Sequence, residues 1–78
     1  MKTVQMFGMI AELFETERLT CDLPADATVQ TLRSHLTALK PQIADMQYAV
    51  ALDHEIADDT APIAGASDIA VLPPFAGG

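Results

Sequence analysis

Few residues in this chain are placed to do chemistry. Cys21 is the only cysteine, and a reactive thiol needs a neighbouring base or a helix N-terminus to lower its pKa. It lies instead between Leu19 and Leu23, with Thr20 and Asp22 alternating against them. That spacing turns it inward, as a structural thiol in the core. His35 falls inside a helical pattern one residue before Leu36, at the edge of the polar face. His54 sits in Asp53-His54-Glu55, with Asp58 and Asp59 close behind. Carboxylates and a histidine can ligate a metal, yet this spacing matches no ligand pattern, and a solvated acidic turn is expected. No two carboxylates share a surface that the sequence would desolvate for acid–base work. Gly8 and Gly65 stand alone, so there is no glycine-rich phosphate loop.

What remains is Leu72-Pro73-Pro74-Phe75-Ala76-Gly77-Gly78. Two prolines stiffen and extend the segment, at about 3 Å per residue. Phe75 is costly to leave in water. After Ala76 the side chains vanish, and a carboxylate on Gly78 can enter a narrow channel with no Cβ beside it. Another protein's reactive atoms could then reach it unhindered. The plain alternative is a frayed terminus, but the pattern suits chemistry on Gly78 itself, with Gly77 giving access.

The rest of the chain must hold that segment. Val4 and Met6 share one face of a first strand, with Phe7 and Met9 out of step, and Ala11-Glu12-Leu13-Phe14 reads as a short helical turn. Leu19, Cys21 and Leu23 form a second strand, spaced to pair with the first as a hairpin. Pro24-Ala25-Asp26-Ala27 breaks it, and Thr28 is placed to cap a helix. Val29, Leu32, Leu36 and Leu39 make the apolar stripe of that helix, opposite Gln30, Arg33, Ser34 and Thr37. Lys40 suits its last turn and Pro41 stops it. Tyr48, Val50 and Leu52 form a third strand, Asp53-His54 a tight turn, and Glu55-Ile56-Ala57 a short return. Ile69-Ala70-Val71-Leu72 is a last strand, apolar on both faces, ended by Pro73-Pro74. One helix covers only one face of such a sheet. Either the loops and the turn near Leu13 and Phe14 cover the leftover apolar groups, or a partner does.

Composition bounds the function. Seventy-eight residues, half of them apolar, make one domain with a radius of gyration of about 11–12 Å. Residues 1–72 form its body and residues 73–78 an extended tail. Four basic against 11 acidic residues leave a net charge of -7, which argues against nucleic acid and against anionic membrane surfaces. One cysteine allows no intramolecular disulfide. No apolar run approaches the ~20 residues of a membrane span. Met1-Lys2-Thr3 has no signal-peptide layout, so a cytoplasmic protein is expected.

In these features the chain resembles the ubiquitin-like sulfur-carrier family (MoaD/ThiS), and within it the molybdopterin-synthase branch. The resemblance covers the whole chain. Its most specific parts are Pro73-Pro74-Phe75-Ala76-Gly77-Gly78, the Val4 to Phe7 strand, the Glu12-Leu13 turn, and Thr28-Val29 with Leu32. It implies an α+β fold of the β-grasp (ubiquitin-like) kind, a mixed sheet packed on one main helix. It also implies a carrier with no turnover alone, the sulfur-donating small subunit of a molybdopterin synthase heteromer. A ubiquitin-activating-like adenylyltransferase would use ATP to adenylate Gly78, and a sulfur source would convert it to a thiocarboxylate. The synthase large subunit would then pass that sulfur to cyclic pyranopterin monophosphate in molybdenum cofactor biosynthesis. No cofactor or metal would be bound by the chain. Phe7, Leu72, Pro73, Pro74, Phe75 and Ala76 would dock on the partner.

Three places depart from the family pattern. Ala11 stands where many members have a basic residue, Leu52-Asp53-His54 replaces a turn ending in asparagine, and Ala66-Ser67-Asp68 replaces a Gly-Asp pair. All bear on partner choice. Other readings are a carrier for thiamine or another metabolite, a ubiquitin-like modifier joined through Gly78 to a lysine, and a binding module whose Gly-Gly is incidental.

Overall fold

A computed structural model describes residues 2–73; Met1 and residues 74–78 lie outside the described residues. Strand β1 (Lys2–Met6) buries Val4 and Met6 and turns Thr3 and Gln5 to the other face. Phe7 stays extended, and Gly8 takes a left-handed φ of 56° to start helix α1 (Gly8–Phe14). This helix is longer than the expected turn, and it drives Ile10 into the core. It ends on Glu15 at φ 58°, where the Thr16 N–H returns to the Ala11 carbonyl at 3.1 Å. Strand β2 (Arg18–Cys21) pairs antiparallel with β1, Lys2 facing Cys21 and Gln5 facing Arg18.

Helix α2 (Val29–Leu39) begins as expected on Thr28. The Thr28 hydroxyl accepts from the Thr31 N–H at 3.4 Å, and the Thr31 hydroxyl accepts from the Thr28 N–H at 3.1 Å. The next free donors are met by tertiary partners: Val29 N–H reaches the Ala61 carbonyl and Gln30 N–H the Asp59 carbonyl, both at 3.0 Å. A helix start is thus closed by a distant loop, which fixes residues 58–63 in turn. Val29, Leu32 and Leu36 are fully buried. Leu39 is not part of that buried stripe; it is 49% exposed, because the helix stops there. A 3-10 turn over Pro41–Asp45 follows and buries Ile43.

Strands β3 (Ala49–Leu52), β4 (Glu55–Ile56) and β5 (Ile69–Leu72) complete a sheet in the order β2-β1-β5-β3-β4. β5 lies in the middle, parallel to β1 and antiparallel to β3. The sheet is therefore mixed and packs on one main helix, which is the β-grasp arrangement. The radius of gyration is 11.3 Å. Among the described residues, every buried side chain is apolar. The core lies between α2 and one sheet face, joined by Ile10, Ile43 and Ile63 from the connections.

Candidate functional site

A central strand between two neighbours has two faces to fill. On β5, Ile69 and Val71 point into the core and are buried, while Ala70 and Leu72 point the other way and are half-buried. Register extends that second face sideways. Gln5 lies beside Ala70, Ala51 pairs with both Ala70 and Ile56, and Ala49 pairs with Leu72. Exposure varies across this surface: Ala51 is buried, while Gln5, Ala49, Ala70 and Leu72 are half-buried. Its large apolar members are Phe7, 42% exposed, and Ile56, 66% exposed. With Ala51, Ala70 and Leu72 they line a shallow apolar depression. Leu13 and Phe14 pack on the core instead, so the turn expected as a cover does not supply one.

The rim of the depression is polar. Asp53 and His54 form a two-residue turn with φ of 51° and 73°, the geometry that matches a twisted hairpin. Non-glycine residues resist that conformation, and hydrogen bonds hold it. The Asp53 carboxylate accepts from the backbone N–H of Ser67 at 2.8 Å and of Asp68 at 2.9 Å. The Asp53 N–H donates to the Asp68 carbonyl at 2.8 Å. Asp68 in turn accepts from the Gln5 amide at 2.7 Å and lies 3.5 Å from the exposed His54 ring. Two of the departures from the family pattern, Asp53-His54 and Ser67-Asp68, are thus bonded to each other beside the apolar face.

β5 leaves the sheet at Leu72, and Pro73 is buried. Its ring packs on Gly8, where an added Cβ would stand 3.1 Å from Pro73 Cγ. Of the residues expected to act, Phe7, Leu72 and Pro73 therefore come together at one end of the sheet. Pro74, Phe75, Ala76, Gly77 and Gly78 lie outside the described residues.

Cys21 is fully buried, and burial pushes its thiol above the ordinary range. Arg33 is not simply a residue of the solvent face: its guanidinium stacks 4.5 Å from the Tyr48 ring centroid and its Nε lies 2.8 Å from Asp59 Oδ1. That contact is a charge pairing rather than an aligned hydrogen bond, since no acceptor lies along the Nε–H direction. Arg33 thus ties α2 to Tyr48, just before β3, and to the loop after β4. Among the described residues no three His, Cys, Asp or Glu side chains could hold a metal together, and no helix is long and apolar enough to cross a membrane.

Ile56, Ala51 and Ala70 were not singled out from the sequence. The signal was present in the hairpin: a two-residue turn at Asp53-His54 sets Leu52 opposite Glu55 and Ala51 opposite Ile56, and strand alternation then puts Ile56 away from buried Val50.

Residues 4–78 match the ThiS family. No curated protein sequence matches. Solved structures do, at identities that speak to the fold alone. Small archaeal modifier protein 1 of Haloferax volcanii is 22% identical in one crystal structure, with a TM-score of 0.78 and 97% of each chain covered. A Pyrococcus furiosus protein described as molybdopterin converting factor, subunit 1, is 14% identical, with a TM-score of 0.83, covering 94% of this chain and 95% of that one. The Haloferax volcanii HVO 2177 protein is 20% identical at a TM-score of 0.77, covering 97% of this chain and 84% of that one.

Proposed function

The chain belongs to the ThiS family, and on that premise we propose that it is the sulfur-carrying small subunit of a molybdopterin synthase. The reactive group is the carboxylate of Gly78, with Gly77 giving access. An adenylyltransferase of the ubiquitin-activating kind binds ATP; a Gly78 carboxylate oxygen attacks the α-phosphorus and pyrophosphate leaves. A sulfur nucleophile then adds to the acyl carbon and AMP departs, so a C–O bond is exchanged for C–S and a thiocarboxylate remains. In the synthase that sulfur passes to cyclic pyranopterin monophosphate, and two such transfers build the dithiolene. ATP is the activating enzyme's substrate, and the carrier itself needs no cofactor or metal.

The observation that carries this reading is a family match running through Gly78 together with a central strand that delivers the chain to Pro73 beside a face carrying exposed Phe7 and Ile56. Phe7, Ile56 and Leu72 would seat the body on the large subunit while Pro74, Phe75 and Ala76 enter it. The net charge of -7 makes the carrier a poor host for a phosphorylated pterin. A basic pocket belongs to the partner, whose field would also steer this acidic chain into place.

A second reading is a ubiquitin-like modifier, favoured by the likeness to small archaeal modifier protein 1. Intact mass after incubation with ATP, the adenylyltransferase and a sulfur donor separates the two. A sulfur carrier gains the mass of one oxygen-to-sulfur exchange and loses it when the large subunit and pterin precursor are added. A modifier becomes joined to a second polypeptide. An exchange that persists in the presence of the synthase pair moves the assignment to thiamine or another sulfur-containing product.

A further inference from the structure

Continuing the parallel register of β1 and β5 beyond Met6 and Val71 sets Gly8 opposite Pro73. Both strands abandon the ladder there for separate reasons. Gly8 turns left-handed, φ 56°, to enter α1, and Pro73 has no N–H to donate. What joins the two strands at this point is packing: the buried Pro73 ring lies on the bare Cα of Gly8. A Cβ at residue 8 would meet Pro73 Cγ at 3.1 Å, Cβ at 3.8 Å and Cδ at 3.9 Å.

A contact of 3.1 Å must relax by a few tenths of an ångström, and the two sides are unequally free to move. Around Gly8 the chain is pinned: the Phe7 carbonyl accepts from Ile10 at 3.1 Å and Ala11 at 3.4 Å, Met6 donates to Glu17 at 2.8 Å, and Ile10 is fully buried. β5 is paired with both neighbours only as far as Val71, and with β3 alone at Leu72. Pro73 is therefore the side that yields. We infer that Gly8 is a positioning residue for the chemistry at Gly78: its missing side chain seats the Pro73 ring and so sets the heading of the chain as it leaves β5. This rests on the reading of Gly78 as the reacting carboxylate. A carboxylate that must reach an adenylating centre several residues away is sensitive to such a heading, because small misplacements of a reacting atom are costly.

Four proteins test it: wild type, Gly8→Ala, Pro73→Ala and the double variant. Thermal midpoints, ATP–pyrophosphate exchange with the adenylyltransferase, and residual dipolar couplings of the Phe75, Ala76, Gly77 and Gly78 amides are measured on each. Alanine at residue 8 also strains a left-handed backbone, which lowers the midpoint whatever Pro73 does. In Gly8→Ala the kcat of exchange falls about ten- to a hundredfold with KM changed less than about threefold, and the couplings shift. The double variant removes Cγ and Cδ, leaving an ordinary 3.8 Å approach. It keeps the lowered midpoint but recovers kcat and couplings to those of Pro73→Ala.

Unchanged kcat and couplings in Gly8→Ala overturn the inference. So does a double variant whose kcat and couplings stay worse than those of Pro73→Ala, which assigns the loss to backbone strain alone. If Gly8→Ala does not fold, Pro73→Ala reads the same contact from the other side, and wild-type kcat and couplings there overturn the proposal equally. A wild-type chain that supports no exchange refutes the Gly78 reading, while the couplings still decide whether Gly8 sets the heading.

Discussion

At the scale of single residues, Cys21 is the one thiol, and its surroundings disarm it. Burial disfavours the thiolate and raises its pKa from the ordinary value of 9.0. In the folded protein it should resist alkylation until the chain unfolds. Cys21→Ala should cost about 1–2 kcal/mol in urea denaturation, from lost packing. Oxygen-to-sulfur exchange at Gly78 should continue near the wild-type rate, and its loss in a folded Cys21→Ala protein would move the chemistry to the thiol. Linkage gives the pH dependence. A thiol that ionises later in the folded state than in the unfolded one contributes stability that is whole below 9.0 and is lost as pH rises through the folded value. Tyr48, also raised by burial, acts in the same sense from 10.0. Melting midpoints should fall above pH 9.0, less steeply in Cys21→Ala.

At the scale of elements, two helix ends show opposite local fitness. α2 starts on a reciprocal Thr28–Thr31 pair, so Thr28→Ala should destabilise by about 1 kcal/mol. α1 ends on a glutamate held left-handed at φ 58°, a place where glycine is unstrained. Glu15→Gly should therefore stabilise by about 0.5–1 kcal/mol. Urea midpoints at pH 7 check both. The tight turn of Asp53 and His54 is a third such place, and there the surroundings supply what the residues lack: three hydrogen bonds to Ser67 and Asp68 hold the conformation. The same bonds tie the β3–β4 hairpin to the start of β5, and so to the strand that carries the chain toward Gly78.

The whole molecule has one sheet face turned to the core and a second that carries exposed Phe7 and Ile56, on a body of net charge -7. On the proposed function, this surface would suit a partner with apolar groups at its centre and basic groups at its margin. Ile56 contributes nothing to the core, being 66% exposed, yet burying it in a complex is worth roughly 1.5–3 kcal/mol. If the proposed function holds, Ile56→Ser should leave the melting midpoint unchanged and weaken assembly with the synthase large subunit by about one to two orders of magnitude. Calorimetric titration measures this directly. Association should also slow as salt is raised, because charge steering is screened within about 10 Å at 0.1 M.

Local periodicity by itself settled much of this protein. Alternation at Val4 and Met6 and at Leu19 and Cys21, the three- and four-residue spacing from Val29 to Leu36, and prolines at 41 and 73 are short-range signals. The physics behind each acts within a few residues, so strands, main helix and inward-facing thiol were all legible. The reading of Gly78 as the reacting carboxylate also starts from the sequence, from side chains being absent, and it falls outside the described residues. Only the tertiary structure decided how the strands are ordered, with β5 inserted between β1 and β3, because pairing between residues some 65 apart leaves no mark on local pattern. That insertion is what joins Phe7, Ile56 and Leu72 into one face. It also explains what local pattern misplaced. Leu39 follows the helical period but lies past the last residue the sheet can cover, whereas Ile43 and Ile63 follow no period and are buried because loops close the core's ends. The pairing of Gly8 with Pro73 belongs to the same class: each residue is unremarkable in its own segment, and their contact exists only because two distant strands run side by side.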